Sequence, residues 1–382
     1  MDFEFSEKHK LVRRSVRAFA EDILGPLAPI MDRDAQFSWE AAKELSKINA
    51  WGLQLPEKYG GAELDSISYA IVIEEISKIC AATGLTISVH NSVSAYPILK
   101  FGSEEQKEKY LPNLASGKKI GAFAWTEPNA GSDAGAIESL AIEEGDHFIL
   151  NGSKIFVTNG GIASTFLIGA KYKTKDGKNG YVVFILDKNM KGFEVGEHED
   201  KMGLRGSSTT SLYFHDINVP KDSILGKLND GFKIGMHALD VGRIGIAAQA
   251  LGIAQAAYEH SINYSKGRIQ FNKPISQFQG VSFKLAEMST KIDAARFLLY
   301  RTAFLKDKGV NFSKETAMSK YYASFIARDI AQEAIQIHGG YGYMKDLPIE
   351  RYYRDAKVCE IYEGSNEIMK FIISREILKG NL

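Results

Sequence analysis

Residues 140–150 read LAIEEGDHFIL. Two short apolar runs, 140–142 and 147–150, flank Glu144-Gly145-Asp146, a turn suited to a β-hairpin. This stretch decides the fold because helical spacing stops shortly before it. From about 120 to 225 the apolar period is near two, and turn residues punctuate the chain at short intervals. Runs 165–170 and 181–186 flank Lys175-Asp176-Gly177-Lys178, and 212–219 alternates more loosely. The expectation is a β domain, a barrel or a sandwich.

Both flanks of this region are helical. On the N-terminal side Ser6 is suited to cap a helix with Glu7 in its first turn. Leu11, Val12, Val16, Phe19 and Ile23 continue it, and Gly25-Pro26 ends the run. Trp39, Ala42, Leu45 and Ile48 mark a second helix, 67–80 a third, 85–101 a fourth rich in small residues, and 104–114 a charged fifth. On the C-terminal side 232–266, 278–308 and 314–338 are long helical runs, broken at Pro274, Gly309 and Gly339-Gly340, with a last helix at 366–378. Three long helices and a shorter one, joined by short loops, suggest a four-helix bundle. The expected fold is α+β and multi-domain: an N-terminal all-α domain (1–118), a middle β-barrel or sandwich (119–228) and a C-terminal four-helix bundle (229–382). Ligands favour domain interfaces, and a β domain between two helical ones offers two clefts.

Lys+Arg and Asp+Glu both total 47, so net charge is zero and nothing favours nucleic acid or an anionic membrane as partner. No apolar run approaches the roughly 20 residues of a membrane span. The opening MDFEFSEKHK has neither a basic n-region nor an apolar h-region, so no signal peptide is expected. Cys80 and Cys359 are expected as reduced packing residues, which fits a cytoplasmic location. No His, Cys and carboxylate spacing suggests a metal site, and neither G-x-G-x-x-G after a strand nor a P-loop is present.

Six stretches carry candidate chemistry. In RYYRDAKVCEIYEGSNEIMK (351–370), Glu363 sits among apolar residues and is followed by Gly364. Poor solvation raises a carboxyl pKa and its basicity, and a glycine lets a ligand lie against the backbone. The ordinary reading is a helix start, with Ser365 as cap, Glu367 in the first turn, and Ile368, Phe371 and Ile372 on a buried face. In 123–133, Phe123 and Trp125 with Thr126 and Ser132 either hold a flat heteroaromatic ring or form a plain strand and turn. In KIFVTNGG (154–161), Thr158 either donates to a ligand with Phe156 against it or caps the strand. Asp240 and Arg243, at i,i+3 on one helix face, form either a surface ion pair or a clamp on a polar ligand. Arg268 has the planar fork that suits phosphate. In QIHGGYGY (336–343), the glycines permit close backbone approach to a phosphate or ribose, and His338 reads as a packing or hydrogen-bonding residue.

Taken together, AWTEPNAGSDAG (124–135), KIFVTNGG, LDVGRIGIAAQALGIAQAA (239–257), GRIQFNKPI (267–275), QIHGGYGY and RDAKVCEIYEG (354–364) resemble the acyl-CoA dehydrogenase family in order and spacing, over essentially the whole chain. The likeness is greatest to its bacterial short-chain (butyryl-CoA) type. The resemblance implies non-covalent FAD, an acyl-CoA substrate, electron-transferring flavoprotein as electron partner, and a homotetramer built as a dimer of dimers. It implies that Phe123, Trp125, Thr126, Phe156 and Thr158 line the isoalloxazine, with Val157 in the same cofactor set and Gly131 and Ser132 near the junction of flavin and ligand. Arg268, Gln270, Phe271 and Gln279, with Gln336, Ile337, His338, Gly339 and Gly340, are implied to serve the pyrophosphate and adenosine, largely across a subunit boundary. Ser365 and Glu367 fall near the adenosine. The resemblance further implies that Ser132, Asp240 and Arg243 contact the CoA portion and that Glu363 and Gly364 belong to the substrate-binding set. Glu363 matches the catalytic base, which takes the α-proton while the β-hydrogen passes as hydride to flavin N5, giving the trans-2-enoyl-CoA. Some members carry the base at the position of Gly242, which cannot take a proton. Phe156 stands where many relatives have tryptophan.

Alternatives remain open at this stage. The same site can work as an enoyl-CoA reductase, or on branched, glutaryl or aryl acyl groups. An oxidase is disfavoured by the 382-residue length. A non-catalytic or nucleic-acid-associated relative is disfavoured by zero net charge and by Glu363. The lack of arginine in 88–97 disfavours glutaryl-CoA.

Overall fold

The computed structural model describes residues 4–380. Seven α-helices precede the sheet: α1 (Glu7–Phe19), α2 (Gly25–Asp34), α3 (Trp39–Lys47), α4 (Ser66–Ile79), α5 (Ala81–Val89), α6 (Tyr96–Phe101) and α7 (Glu104–Ala115). Ser6 caps α1 as expected, its hydroxyl accepting the His9 N–H. The expected stop at Gly25-Pro26 does not occur. A π turn, Ala20–Leu24, carries the chain into α2, where Pro26 occupies the first turn and no N–H is needed from it. A second π turn, His90–Ala95, divides the expected 85–101 helix into α5 and α6.

The β region forms a single curled seven-stranded sheet. Its strands are β1 (Gly121–Ala124), β2 (Leu140–Glu144), β3 (His147–Thr158), β4 (Thr165–Lys173), β5 (Asn179–Asp187), β6 (Phe193–His198) and β7 (Thr209–Pro220). The β2–β3 hairpin pairs Glu144 with His147 around Gly145 and Asp146, with Gly145 at φ 66°. β1 and β2 lie parallel to β4, on the side away from its antiparallel partner β5. The inner face is filled by Phe148, Phe166, Phe184, Phe214 and aliphatic neighbours. Register slips between Lys154 and Val157, which bulges β3 away from β7 at Phe156.

The C-terminal part contains α8 (Gly231–Gly267), the small hairpin β8 (Ile269–Gln270) and β9 (Lys273–Pro274), α9 (Gln279–Asp307), α10 (Ser313–His338), the single turn α11 (Gly340–Tyr343), α12 (Ile349–Cys359) and α13 (Asn366–Leu378). The sequence reading assigned no helix to α12. Its buried positions Ile349, Tyr352, Asp355, Ala356 and Cys359 have helical spacing, but one of them is an aspartate and charged residues separate them. The buried face of α13 also differs from expectation. Asn366, Met369 and Glu376 face inward, whereas Phe371 is 60% exposed and Ile368 and Ile372 are partly exposed.

The central helix α8 packs against α4, α5, α9, α10 and α12. It can do so because small residues bring backbones together: a Cβ at Gly245 would overlap Ser88 and Tyr69, and one at Gly252 would overlap the Glu74 carbonyl. The N- and C-terminal helices therefore share one apolar core, while a smaller cluster containing Trp125, Ile137, Leu225 and Ile234 joins sheet to helices. Among the described residues no helix is long and apolar enough to cross a membrane, no group of three potential metal ligands occurs, and Cys80 and Cys359 are buried and unbridged. Gly252→Val is expected to destabilise the protein by about 1–3 kcal/mol through overpacking against α4, read as a lower denaturation midpoint.

Candidate active site

The loop between α12 and α13 turns through two consecutive left-handed residues, Glu363 (φ 49°) and Gly364 (φ 96°). Glycine takes this conformation freely, whereas for glutamate it costs about 1–2 kcal/mol. Four interactions hold the turn. Arg243 Nε donates to the Glu363 carbonyl (2.9 Å), and Lys320 Nζ donates to the Gly364 carbonyl (2.7 Å). The Asn366 N–H reaches back to the Glu360 carbonyl (2.9 Å), and Ser365 caps α13 through the Ile368 N–H. Glu367 is exposed in the first turn of α13.

The Glu363 carboxylate reaches the surface of α8 at Gly242, where any Cβ would collide with its Oε2 and with Val93. Oε2 is shielded from solvent and has no hydrogen-bond partner. Burial pushes the Glu363 pKa up to about 7, against the opposing pull of Arg243 and Lys320. Among the described residues the Glu363 N–H likewise has no backbone partner. One more helical turn along α8, Gly245 faces the Tyr69 hydroxyl and Ser88, which lie 3.0 Å apart. Fully buried Gln249 follows, its amide donating to the Ala81 carbonyl (2.9 Å) and its oxygen accepting from the Tyr362 hydroxyl.

Asp240 and Arg243 are not a surface pair. Arg243 is 5% exposed, and its Nη1 lies 2.6 Å from Asp240 Oδ1. The second Asp240 oxygen accepts from Ser313. The pair thus ties α8 both to α10 and to the Glu363 loop.

The stretches 123–132 and 154–158 form one ledge. The Ile155 N–H donates to the Thr126 carbonyl (3.0 Å), sewing them side by side. Beneath the ledge, fully buried Lys154 pairs with Glu127 (2.6 Å) and donates to the Trp125 carbonyl (3.1 Å). Glu127 also accepts the N–H groups of Glu138 and Ser139. The Trp125 indole is buried, stacked on Phe123 and donating to the Ala134 carbonyl. Val157 is buried, while Phe156, at φ 56°, is 65% exposed. Gly131 and Ser132 are exposed, with open space over Gly131. Asn159, also left-handed, is buried and bonds to the Thr86 and Gly121 carbonyls. The π turn His90–Ala95 connects this ledge to the carboxylate: Ser94 meets Gly121 of β1, and Val93 meets Gly242. An exposed, strained aromatic beside Thr126 and Thr158 suits a flat ring system, so the residues present fit a flavin.

The remaining candidates gather elsewhere. Arg268 lies over the ring of Tyr341, and His338 stacks on Tyr264 at 4.3 Å. Phe271, 87% exposed at the β8–β9 tip, meets Phe278 edge-on, next to Gln279 in sequence; Gln270, Gln279, Gln336, Gly339 and Gly340 are exposed and Ile337 is buried. Lys320 and His338 both lie on α10, so this group is separated from Glu363 by roughly 27 Å of helix. Within one chain, Arg268 and His338 are joined through Tyr341 and Tyr264, away from Glu363. Lys154, Glu127, Asn159 and Lys320 were missed by the sequence reading. Each is a single polar residue in a mixed or apolar run, and only its partner reveals it.

Sequence models of the acyl-CoA dehydrogenase N-terminal, middle and C-terminal domains match residues 6–118, 122–217 and 229–378. The chain belongs to the acyl-CoA dehydrogenase family. It is 51% identical to an acyl-CoA dehydrogenase of Bacillus subtilis, over 98% of this chain and 99% of that one. It is 46% identical to the short-chain specific acyl-CoA dehydrogenase of Clostridium acetobutylicum (99% and 100% covered) and 46% identical to a 3-(aryl)acrylate reductase of Clostridium sporogenes (98% and 100%). Butyryl-CoA dehydrogenase from Megasphaera elsdenii superposes with TM-score 0.96 at 43% identity, covering 99% of this chain and 100% of that one. A chain from a structural study of the Acidaminococcus fermentans electron transferring flavoprotein gives 0.97 at 46% (99% and 100%). A Bacillus anthracis acyl-CoA dehydrogenase complexed with FAD gives 0.92 at 34% (99% and 69%). This acyl-CoA dehydrogenase is a flavin-dependent oxidoreductase, and the family's cofactor is FAD.

The raised Glu363 pKa also makes a statement about stability. A glutamate unfolded near 4.5 and folded near 7 keeps its proton longer in the native state, so its contribution falls as pH rises from 4.5 to 7. Glu363→Gln is expected to raise the thermal midpoint relative to wild type at pH 8, with the gain shrinking toward pH 4.5, measured by parallel melts of the FAD-loaded proteins.

Proposed function

We propose that this acyl-CoA dehydrogenase acts on a short-chain acyl-CoA, butyryl-CoA being the best fit, with Glu363 as the base that removes the α-proton. The observation that carries the reading is the solvent-shielded, unpartnered Glu363 Oε2 over Gly242, on a carboxyl with a pKa near 7. A base with that pKa is half-ionised at neutral pH, which suits reversible transfer of a carbon-bound proton. The free Glu363 N–H is placed to donate to the thioester carbonyl and so stabilise the charge that develops as the α-proton leaves. Oε2 takes that proton and, in the reverse direction, returns it. Residues Phe123, Thr126, Phe156, Val157 and Thr158 would hold FAD, with Trp125 backing them, and FAD supplies the two-electron acceptor for the β-hydrogen.

The short-chain reading rests on what lies beyond Gly242. Tyr69, Ser88, Gln249 and Tyr362 are already hydrogen-bonded to protein. A longer alkyl chain has to displace these satisfied polar groups, and each left unpaired costs about 1–3 kcal/mol. Arg268, Gln279 and residues 336–340 are assigned to the FAD of a neighbouring subunit in a homotetramer, a reading supported by their distance from Glu363 and by the exposure of Phe271. Electron-transferring flavoprotein is the proposed electron partner, and two buried, unbridged thiols support a reducing, cytoplasmic setting.

The aryl-acrylate and acryloyl-CoA reductases among the similar proteins favour a second reading, in which the physiological direction is reduction. The test is an anaerobic titration of the flavoprotein with butyryl-, octanoyl-, isovaleryl- and glutaryl-CoA, followed by flavin absorbance. Butyryl-CoA is expected to bleach the flavin fastest. A protein that carries flavin and is bleached by none of them works on another acyl group or as a reductase. Glu363→Gln is expected to bind butyryl-CoA and lose about 10³-fold or more in bleaching rate. Gly242→Ala, which pushes the carboxylate aside, is expected to lose at least about tenfold, as misplaced groups do.

A further inference from the structure

Two buried cations hold consecutive carbonyls of the Glu363 turn, and they are not equivalent. Arg243 is balanced by Asp240 at 2.6 Å. Lys320 is fully buried, and among the described residues its ammonium bonds only to neutral acceptors: the Gly364 carbonyl (2.7 Å) and Asn366 Oδ1 (3.3 Å). Asn366 is itself braced by Ser324 (3.0 Å). A buried ammonium without a paired carboxylate is costly. Holding one carbonyl requires only a neutral donor, so the charge itself calls for an explanation.

The other titratable groups around Glu363 do not supply one. Tyr69 on α4, Tyr362 on the loop and Cys359 at the end of α12 all have pKa values raised by burial, so they stay neutral. Glu360 is paired with Arg328 and Lys357, and Asp240 with Arg243. Arg243 on α8 and Lys320 on α10 are the two cations acting on the carboxylate.

We propose that Lys320 is a positioning residue for the base: it grips the Gly364 carbonyl to hold the left-handed turn that sets the carboxylate over Gly242, and its buried charge favours the ionised form of Glu363. This rests on the reading of Glu363 as the base. Burial brings the Lys320 pKa down to about 8, so its charge is present over the range in which Glu363 ionises.

The test compares Lys320→Met, Lys320→Arg and Glu363→Gln with wild type as FAD-loaded proteins. It measures kcat and kcat/KM for butyryl-CoA from about pH 5 to about pH 10, together with the ligand Kd from flavin absorbance. Lys320→Met is expected to bind ligand within a few-fold of wild type and to lose about 10–100-fold in kcat. Its acid limb in kcat/KM is expected to move up by roughly one pH unit, since an opposing positive charge has gone. Lys320→Arg is expected to restore the limb. If Lys320→Met keeps the wild-type kcat and limb while Glu363→Gln is inactive, the proposal falls and the base assignment stands. Near-normal turnover in Glu363→Gln overturns both. Should Lys320→Met fail to fold, Lys320→Gln keeps a donor for Gly364 without the charge. An upward-shifted limb in that variant supports the proposal, and an unchanged limb overturns it.

Discussion

A carboxylate pressed against the bare Cα of a glycine is the contact on which this structure turns. Glu363 can lie over Gly242 only if α8 presents backbone there and the loop after α12 folds back on itself. The first condition is met by the glycines of α8, which also let α4 and α5 approach. The second requires a left-handed glutamate, an unfavourable conformation for any residue that carries a Cβ. Arg243, Lys320, Asn366 and the Ser365 cap offset that cost. None of them bonds to the carboxylate itself, whose Oε2 stays shielded from solvent and unpartnered. The helical core thus holds the loop by its carbonyls and leaves its acid free.

The same arrangement recurs on the sheet side. Phe156 is a bulky residue at positive φ with most of its ring exposed, at an estimated cost of about 1–3 kcal/mol. What sustains it is the buried Lys154–Glu127 pair and the stitch between Ile155 and Thr126. Between the two strained elements lies the π turn His90–Ala95, in contact with β1 on one side and Gly242 on the other. His90 anchors that turn by accepting from the Gly121 N–H and donating to the Trp51 carbonyl, and burial lowers its pKa to about 4, so it stays neutral. Sheet and helices are coupled through this turn and through Trp125, whose indole abuts Gly169 and Gly235.

Much of this was legible in the chain. Period-two alternation around 140–150 located the sheet, and capping at Ser6 and Ser365 located helix starts, because these signals are local. The expected breaks were less secure. Pro26 reads as a terminator but serves in the first turn of the next helix, since a π turn absorbs the geometry before it. α12 was unassigned because a charged sequence hides its buried stripe. Phe371 looked like core and is exposed, while Asn366, read only as the start of the last helix, is buried against Lys320.

The sequence by itself determined the α–β–α order, the helix start at Ser365 and the absence of a side chain at 242. The first two follow from apolar spacing and capping preference, which depend on near neighbours along the chain, and the third is read directly from the residue. Only the tertiary structure decided the raised pKa of Glu363, the burial of the Asp240–Arg243 pair, the bond from Lys320 to the Gly364 carbonyl and the separation of Arg268 and His338 from the carboxylate. Desolvation and charge pairing depend on groups brought together from distant parts of the chain, and no local pattern encodes those distances.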